Sequence, residues 1–456
     1  MLLSDLVFEA TGSNPSLCYQ CVKCTSGCPL ADEFDLRPNQ VMRCVQLGHD
    51  SVLESKAIWL CASCHACSTR CPQEIDVAGV MDVLRIESRK RGITPAIPEI
   101  ARFNKLFMRS IGLFGRVYEL GLAMAFNLSM RQPFRDSRLG RRLFTRRKMS
   151  FWPHFARAKT RIKKLAPGSG AVGYFPGCSL NSTSVEYGKS VKSMAEALDL
   201  KLVEPPGWVC CGSSPAHATD PKLSRLLPMK TIATVEQMGL DTVTSPCSAC
   251  YSRFRQAELQ ACDDDAVNRE LSESLGYQYR GSVEVSHLLD VIVDRVGLDQ
   301  VKSKVTKPLT GLKVACYYGC LITRPARATG AENPEYPVKM EKLLNTLGAE
   351  PMDWSCKTEC CGGSLAISKT ETAVKLISRI LEDARRCGAE AIVTMCPICH
   401  LNLDSRQDDA GLENAMPIFQ ATQLMALAFG QGEKKAAIAN NLIDPRSYLT
   451  ERWVMP

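Results

Sequence analysis

Ten cysteines of this chain fall into two sets of five that share one order and nearly one spacing. The first set opens with Cys178 after Gly177. It continues 31 residues later as Cys210-Cys211-Gly212 and closes after a further 35 with Cys247-Ser248-Ala249-Cys250. The second opens with Cys320 after Gly319, continues after 39 residues as Cys360-Cys361-Gly362, and closes after 34 with Cys396-Pro397-Ile398-Cys399. Offsets of 142, 150 and 149 residues between corresponding motifs mark an internal duplication. Clustered thiolates select soft metals and iron–sulfur clusters. A cubane needs four thiolates, and each set offers five. The two adjacent cysteines cannot both reach one corner of a compact cube, but they can ligate neighbouring irons of a more open cluster. Spacing alone also admits an ordinary cubane with a spare buried cysteine. Gly177, Gly212, Gly319 and Gly362 fit places where the backbone approaches a cluster closely or takes a positive φ.

Eight further cysteines form two runs of another kind. They read Cys18-x2-Cys21-x2-Cys24-x3-Cys28-Pro29 and Cys61-x2-Cys64-x2-Cys67-x3-Cys71-Pro72. In two-cluster ferredoxins the fourth cysteine of such a run serves the other cluster. One 4Fe–4S cubane is therefore expected on Cys18, Cys21, Cys24 and Cys71, and a second on Cys61, Cys64, Cys67 and Cys28. Three thiolates on one tight turn wrap three irons, and a distant cysteine closes the cube. A pair of zinc knuckles is the rival reading. Zinc takes four ligands, and each run with its proline overshoots that logic.

The elements that must hold these residues follow from periodicity and punctuation. Between the two runs, Arg37-Pro38-Asn39 opens a helix with Val41, Met42 and Val45 on one side and Gly48 as its C-cap. Asp76 to Arg91 repeats apolar residues at Val77, Val80, Met81 and Leu84, which predicts a second helix. The front end is thus expected to be a helical ferredoxin. From Ala171 the pattern turns α/β. Strands are expected at Ala171–Phe175, Lys201–Glu204 and Asp241–Ser245, and helices at Ser184–Leu198 and Lys222–Met238. The second copy repeats the plan, with strands at Leu312–Tyr318 and Glu390–Thr394 and helices at Glu335–Leu347 and Thr370–Arg386. The strands at 171–175, 241–245, 312–318 and 390–394 each run out just before a cysteine motif, where open α/β sheets place ligands. The fold class is α+β multidomain. The expected domains are a helical ferredoxin at 1–94, a basic helical segment at 95–170, and two tandem α/β domains at 171–307 and 308–456.

The chain has 456 residues and 23 cysteines, with a net charge of +8. In so long a chain the tight cysteine spacings suit metal thiolates better than disulfides. Met1 to Asn14 shows no apolar core of a secretory signal, so a reducing cytoplasm is expected. Nothing reaches 18 uninterrupted apolar residues, so no transmembrane helix is expected. Ile93 to Gly170 holds 17 Lys+Arg against 3 Asp+Glu and carries the whole basic character. Three readings of that segment stand open: a solvated linker, a docking element for an acidic partner, and a peripheral membrane contact, which is not the favoured one. No base-reading motif or aromatic platform accompanies the charge, so no nucleic-acid partner is expected.

With these motifs in place, the chain resembles heterodisulfide reductase. Cys18 to Cys71 is similar to that family's small two-cluster ferredoxin subunit. Ala171 to Cys399 is similar to its disulfide-cleaving subunit, which carries tandem cysteine-rich CCG domains. The chain looks like a natural fusion of the two. The resemblance implies two non-cubane 4Fe–4S clusters at a disulfide-cleaving site. Cys178, Cys210, Cys211, Cys247 and Cys250 would hold one, and Cys320, Cys360, Cys361, Cys396 and Cys399 the other. Cys320 is assigned over Cys316 because only Cys320 has the preceding glycine and the 39-residue gap. Cys44, Cys262, Cys316, Cys356 and Cys387 are left as small buried hydrophobes. Two clusters facing one pocket would each deliver one electron, so that a disulfide yields two thiols. The two front cubanes would relay electrons from a partner resembling the family's flavin-containing subunit, fed by donors of hydrogenase, formate dehydrogenase or ferredoxin type, with no flavin on this chain. Arg324, in a Thr-Arg-Pro context, and Arg327 are candidates for binding an anionic substrate tail, or are surface salt bridges. His217 and His400 flank cluster motifs as proton donors or as satisfied histidines. The same domain order occurs in the iron–sulfur subunits of anaerobic glycerol-3-phosphate dehydrogenase and glycolate oxidase, which pass electrons to quinone. A non-catalytic electron-transfer scaffold is the third reading.

Overall fold

A computed structural model of the chain describes residues 2–156, 162–166, 170–412 and 414–453. The part of the basic segment at 157–161 and 167–169 lies outside the described residues. The front end is helical, as expected. Each cysteine run winds through left-handed backbone at the same two positions, Gln20 (φ 59) and Val22 (φ 66) in the first and Ser63 (φ 48) and His65 (φ 57) in the second. For a non-glycine residue this costs roughly 1–2 kcal/mol. Turns so strained persist where the surrounding structure over-determines them, and here they curl three thiols around one centre. The helix Pro38–Leu47 ends at Gly48 with φ 68, and Val41, Met42 and Val45 are buried on its inner side. The helix Val77–Lys90 opens with the Asp76 carboxylate accepting from the Gly79 amide.

Two parallel sheets follow. The first holds β1 (Val172–Tyr174), β2 (Leu202–Val203), β3 (Thr242–Ser245) and β4 (Glu284–His287), in the order β2-β1-β3-β4. The second holds β5 (Lys313–Tyr317), β6 (Glu350–Met352), β7 (Ala391–Thr394) and β8 (Ile418–Gln420), in the order β6-β5-β7-β8. In each sheet the strand order reverses between the two central strands, and a crevice opens at their carboxyl ends. Cys178 and Cys247 follow β1 and β3, and Cys320 and Cys396 follow β5 and β7. The expected strands are all present, while β4, β6 and β8 come in addition to them. The helix expected from Glu335 begins only at Lys339. Pro337 bars the residue before it from helical backbone and delays the start.

Between the front end and the sheets, three helices cross the molecule: Pro98–Phe114, Glu119–Ser129 and Ser137–Thr145. The first stops at Gly115, whose φ of 72 turns the chain sharply. The third is tied to the second sheet domain, where Arg406 grips Asp136 with two hydrogen bonds of 2.6 and 3.0 Å. Lys148 is fully buried against Glu186, with Nζ to Oε1 at 2.8 Å. Along this stretch the basic segment is therefore packed on the domains rather than loosely solvated. Among the described residues, no helix is long and apolar enough to cross a membrane.

Candidate functional site

The four cysteines expected on the first front cubane come together. Cys18, Cys21, Cys24 and Cys71 line one small pocket, together with Met42, Ile75 and Val77. Gln20 Nε2 donates to Cys18 Sγ at 3.3 Å. The second expected set, Cys28, Cys61, Cys64 and Cys67, also converges closely enough for each thiol to perturb its neighbours. Burial pushes the Cys61 thiol up to about 12, and burial and neighbouring thiols push Cys67 well up. So many buried thiols cannot ionise together unless a cationic centre balances them, which is what iron in a cluster provides. Among the described residues, no three His, Cys, Asp or Glu converge as they would on a single ion. A set of four such thiols fits an iron–sulfur cluster.

The second five-cysteine set lies against this front pair. Cys64, Ala66 and Cys360 form one small buried cluster, with Cys320 packed on it. The neighbouring Cys360 thiol, together with burial, raises Cys64 well above its ordinary value. Within the set, Cys361 Sγ lies 3.7 Å from Cys399 Sγ and Cys320 Sγ 3.9 Å from Cys360 Sγ. The Gly362 amide donates to Cys360 Sγ at 3.4 Å, and Asn402 Nδ2 donates to Cys361 Sγ at the same distance. A Cβ on Gly319, whose φ is 68, would stand 2.9 Å from Cys399 Sγ. Only glycine leaves that thiol its place.

The first set is next in line. Cys247 of the first repeat and Cys396 of the second are buried in one shared core, where the Cys247 thiol lowers that of Cys396, and Cys211 donates to Cys250 at 3.1 Å. All five thiols of this set line a cleft of about 480 Å³. Both sets are expected to face one cavity, and the structure departs from that. The second repeat contributes Pro397 and Ile398 to the cleft wall, while Cys320 and Cys360 are covered by the front end. The order of thiol sets is therefore linear, from the front pair to the second repeat to the first repeat and its cleft.

One wall of the cleft has no counterpart in the sequence motifs. It is the turn Gly115–Glu119 of the basic segment. Gly115 O accepts from the Cys210 amide at 2.9 Å, and the Val117 amide donates to Cys178 Sγ at 3.4 Å. Arg116 lies over the Trp208 ring at 3.6 Å. Glu119 accepts from Ser179 Oγ at 2.8 Å and from the Thr183 amide at 3.2 Å. Apart from the cysteines, Glu119 is the only ionisable group among the described residues that line this cleft, whose other walls include Phe107, Val117 and Phe175. The helix break at Gly115 was the available signal, but nothing in sequence links it to cysteines 60 to 95 residues away.

The other candidates sit elsewhere. Arg324 is buried, and its guanidinium donates to Thr358 O at 3.0 Å and Thr358 Oγ1 at 2.8 Å. Arg327 is exposed and faces Asp263 at 3.6 Å. Neither lines the cleft. His217 Nδ1 lies 2.6 Å from Asp82 of the front end, and burial and Arg253 lower it to about 4. His400 is fully buried, its Nε2 within 3.0 Å of Ile418 O. Burial keeps both histidines neutral, His400 Nδ1 is buried without a hydrogen-bond partner among the described residues, and neither histidine lines the cleft. Of the five spare cysteines, Cys316 and Cys356 are buried, Cys44 and Cys387 are half-buried, and Cys262 is exposed. The expectation of burial therefore fails at Cys262, near the end of the helix Ser248–Asp263.

A parallel-sheet pair behind a helical cysteine-rich front end defines a class, that of iron–sulfur electron-transfer subunits of multi-subunit reductases. Residues 17–76 match the 4Fe-4S dicluster domain, and residues 172–255 and 314–404 match the cysteine-rich domain CCG. The chain is 35% identical to the 8-methylmenaquinol:fumarate reductase membrane anchor subunit of Wolinella succinogenes, over 59% of this chain and 96% of that one. It is 28% identical to the HdrB subunit of the ferredoxin/F420H2-dependent CoB-CoM heterodisulfide reductase of Methanosarcina acetivorans, over 61% of this chain and 95% of that one. It is 34% identical to an HdrC iron-sulfur subunit of the CoB–CoM heterodisulfide reductase of Methanocaldococcus jannaschii, over 23% of this chain and 56% of that one. The chain belongs to the CCG-domain family of reductase subunits. Its make-up is that of the HdrC ferredoxin of a heterodisulfide reductase joined to its CCG-domain partner HdrB, and it is an oxidoreductase subunit carrying iron–sulfur clusters.

Proposed function

We propose that this chain is the terminal relay of a disulfide reductase. In this reading Cys18, Cys21, Cys24 and Cys71 hold one cubane, and Cys61, Cys64, Cys67 and Cys28 the next. The five-cysteine sets at 320–399 and 178–250 hold two clusters of non-cubane type. When bound, these clusters supply single electrons in series. The observation that carries the reading is the packing of Cys64 on Cys360 and of Cys247 with Cys396 in one core, with the first set lining an open cleft. A disulfide entering that cleft takes up two electrons and two protons and leaves as two thiols. The apolar walls hold its alkyl arms, and Glu119 is placed to relay a proton from solvent to a leaving sulfur. A separate flavin-containing partner, fed by hydrogenase, formate dehydrogenase or ferredoxin, delivers electrons to the front end.

A second reading, electron exchange with a quinone, is favoured by the menaquinol-linked relative at 35% identity and by the apolar cleft walls. One experiment separates the two. The purified protein, reduced by a strong one-electron donor, is offered a panel of disulfides and a menaquinone analogue. Thiol release supports the first reading. Quinone turnover with no thiol released from any disulfide transfers the assignment to the second.

A further inference from the structure

Large apolar side chains are rarely left in water in a contiguous group. Of the 17 such residues exposed on the described chain, eight fall between Leu113 and Phe155. Trp152 and Phe134 are 81% and 83% exposed. Several of them join into one surface. Phe144 stacks edge-on with Phe151 at 5.5 Å, Phe114 with Phe155 at 5.4 Å and with Tyr118 at 6.1 Å, and the Tyr118 hydroxyl donates to Phe151 O. The helix Glu119–Ser129 is apolar on nearly every side, yet Met124 and Leu128, one turn apart, face solvent. A helix that is hydrophobic all round is normally buried.

The same segment carries exposed cations. Lys105, Arg109, Arg131, Arg141 and Arg147 are exposed and, among the described residues, form no ion pair. The same segment does pair Arg142, Arg146 and Lys148 with carboxylates of the two sheet domains. Two groups of cations are thus distinguished, one that fastens the segment down and one that points away. Exposed aromatic and apolar side chains on a segment that also bears unpaired Arg and Lys match the boundary of an anionic bilayer, where rings sit among headgroups and cations meet lipid phosphates. The segment also supplies Val117 and Glu119 to the cleft wall, so that surface and cleft adjoin.

We propose that the surface from Leu113 to Phe155 docks this protein on an anionic lipid bilayer, with the first-repeat cleft on the membrane-facing side. The docking does not depend on which oxidant the cleft accepts, because its test reads binding and not turnover. Full-length protein is floated with vesicles of phosphatidylcholine alone and of phosphatidylcholine with phosphatidylglycerol. It should float with the anionic vesicles and be released by salt. Arg141→Gln and Arg147→Gln should each weaken binding about fivefold. Trp152→Ser with Phe134→Ser should weaken it further, with iron content and visible absorption unchanged. Failure to float with either vesicle would overturn the proposal and give the surface to a protein partner. Flotation untouched by these substitutions would place any lipid site elsewhere, and equal flotation with neutral vesicles would remove the anionic assignment.

Discussion

Glu119 and His217 show how position decides the work of an ionisable group. Glu119 is half-buried in the cleft wall and held by two donors. Glu119→Gln keeps the shape and the Ser179 contact but removes the ionisable group. Thiol release should fall by roughly 10²- to 10⁴-fold, the usual worth of a general acid, while electron loading of the protein stays intact. A variant that turns over like the parent would take Glu119 out of the reaction. His217 does something else. Its folded value of about 4 lies below the ordinary 6.5, because burial and Arg253 oppose its charge. The folded protein therefore favours neutral His217. That contribution is complete above pH ~6.5 and is lost as pH falls from there towards about 4, amounting to about 3 kcal/mol. Since His217 meets Asp82 across the join between front end and first repeat, acid should loosen that join. Unfolding midpoints measured through this window should fall more steeply for the parent than for His217→Gln. His287, also held near 4 by burial, will leave a residual slope in both.

At the scale of elements, one buried ion pair fastens the crossing segment to the sheets. Lys148 and Glu186 are both without solvent exposure. Burial pushes the Glu186 carboxyl up while Lys148 pulls it back. Lys148→Met would strand a buried carboxylate and should cost about 3–5 kcal/mol in denaturant unfolding. Adding Glu186→Leu should return much of the loss. A single-variant cost below about 1 kcal/mol would mean that water reaches the pair. Strands ending at cysteines were legible in the sequence because each is a short apolar run closed by Gly-Cys or Cys-x2-Cys. So were the two helices of the front end, from their period and their Asp76 and Gly48 caps. The short strands β2 and β4 carry little pattern of their own. Lys201–Glu204 still marks β2, whereas β4, with an exposed Glu284, leaves no such mark. The Gly115–Glu119 wall could not be read at all. Its partners, Cys178, Cys210 and Trp208, are distant in sequence, and a turn carries no sign of what it will lean on.

At the scale of the whole molecule, the front-end ferredoxin domain is docked on the repeats. The join is made of Arg70 with Glu335, Lys375 with Glu33 at 2.5 Å, His217 with Asp82, and a shared core in which Leu365 and Leu376 pack among front-end residues. Surface ion pairs of this kind contribute little singly. A covalent tether instead raises the effective concentration of one partner at the other to around millimolar, so weak contacts suffice to hold Cys64 at Cys360. Among the described residues, that thiol contact is the crossing from the front end into the repeats that the linear order provides. Cys360→Ala removes one of the five thiolates of the second set at the point where the front end meets it, and should therefore split the molecule electrically while four ligands of that set remain. A one-electron donor should still reduce the front-end clusters of the variant, seen by electron paramagnetic resonance of frozen samples. Signals from the first repeat should stay oxidised, and thiol release should stop. If the first repeat is reduced as fast as in the parent, electrons enter the repeats by another face, and the front end is a side branch.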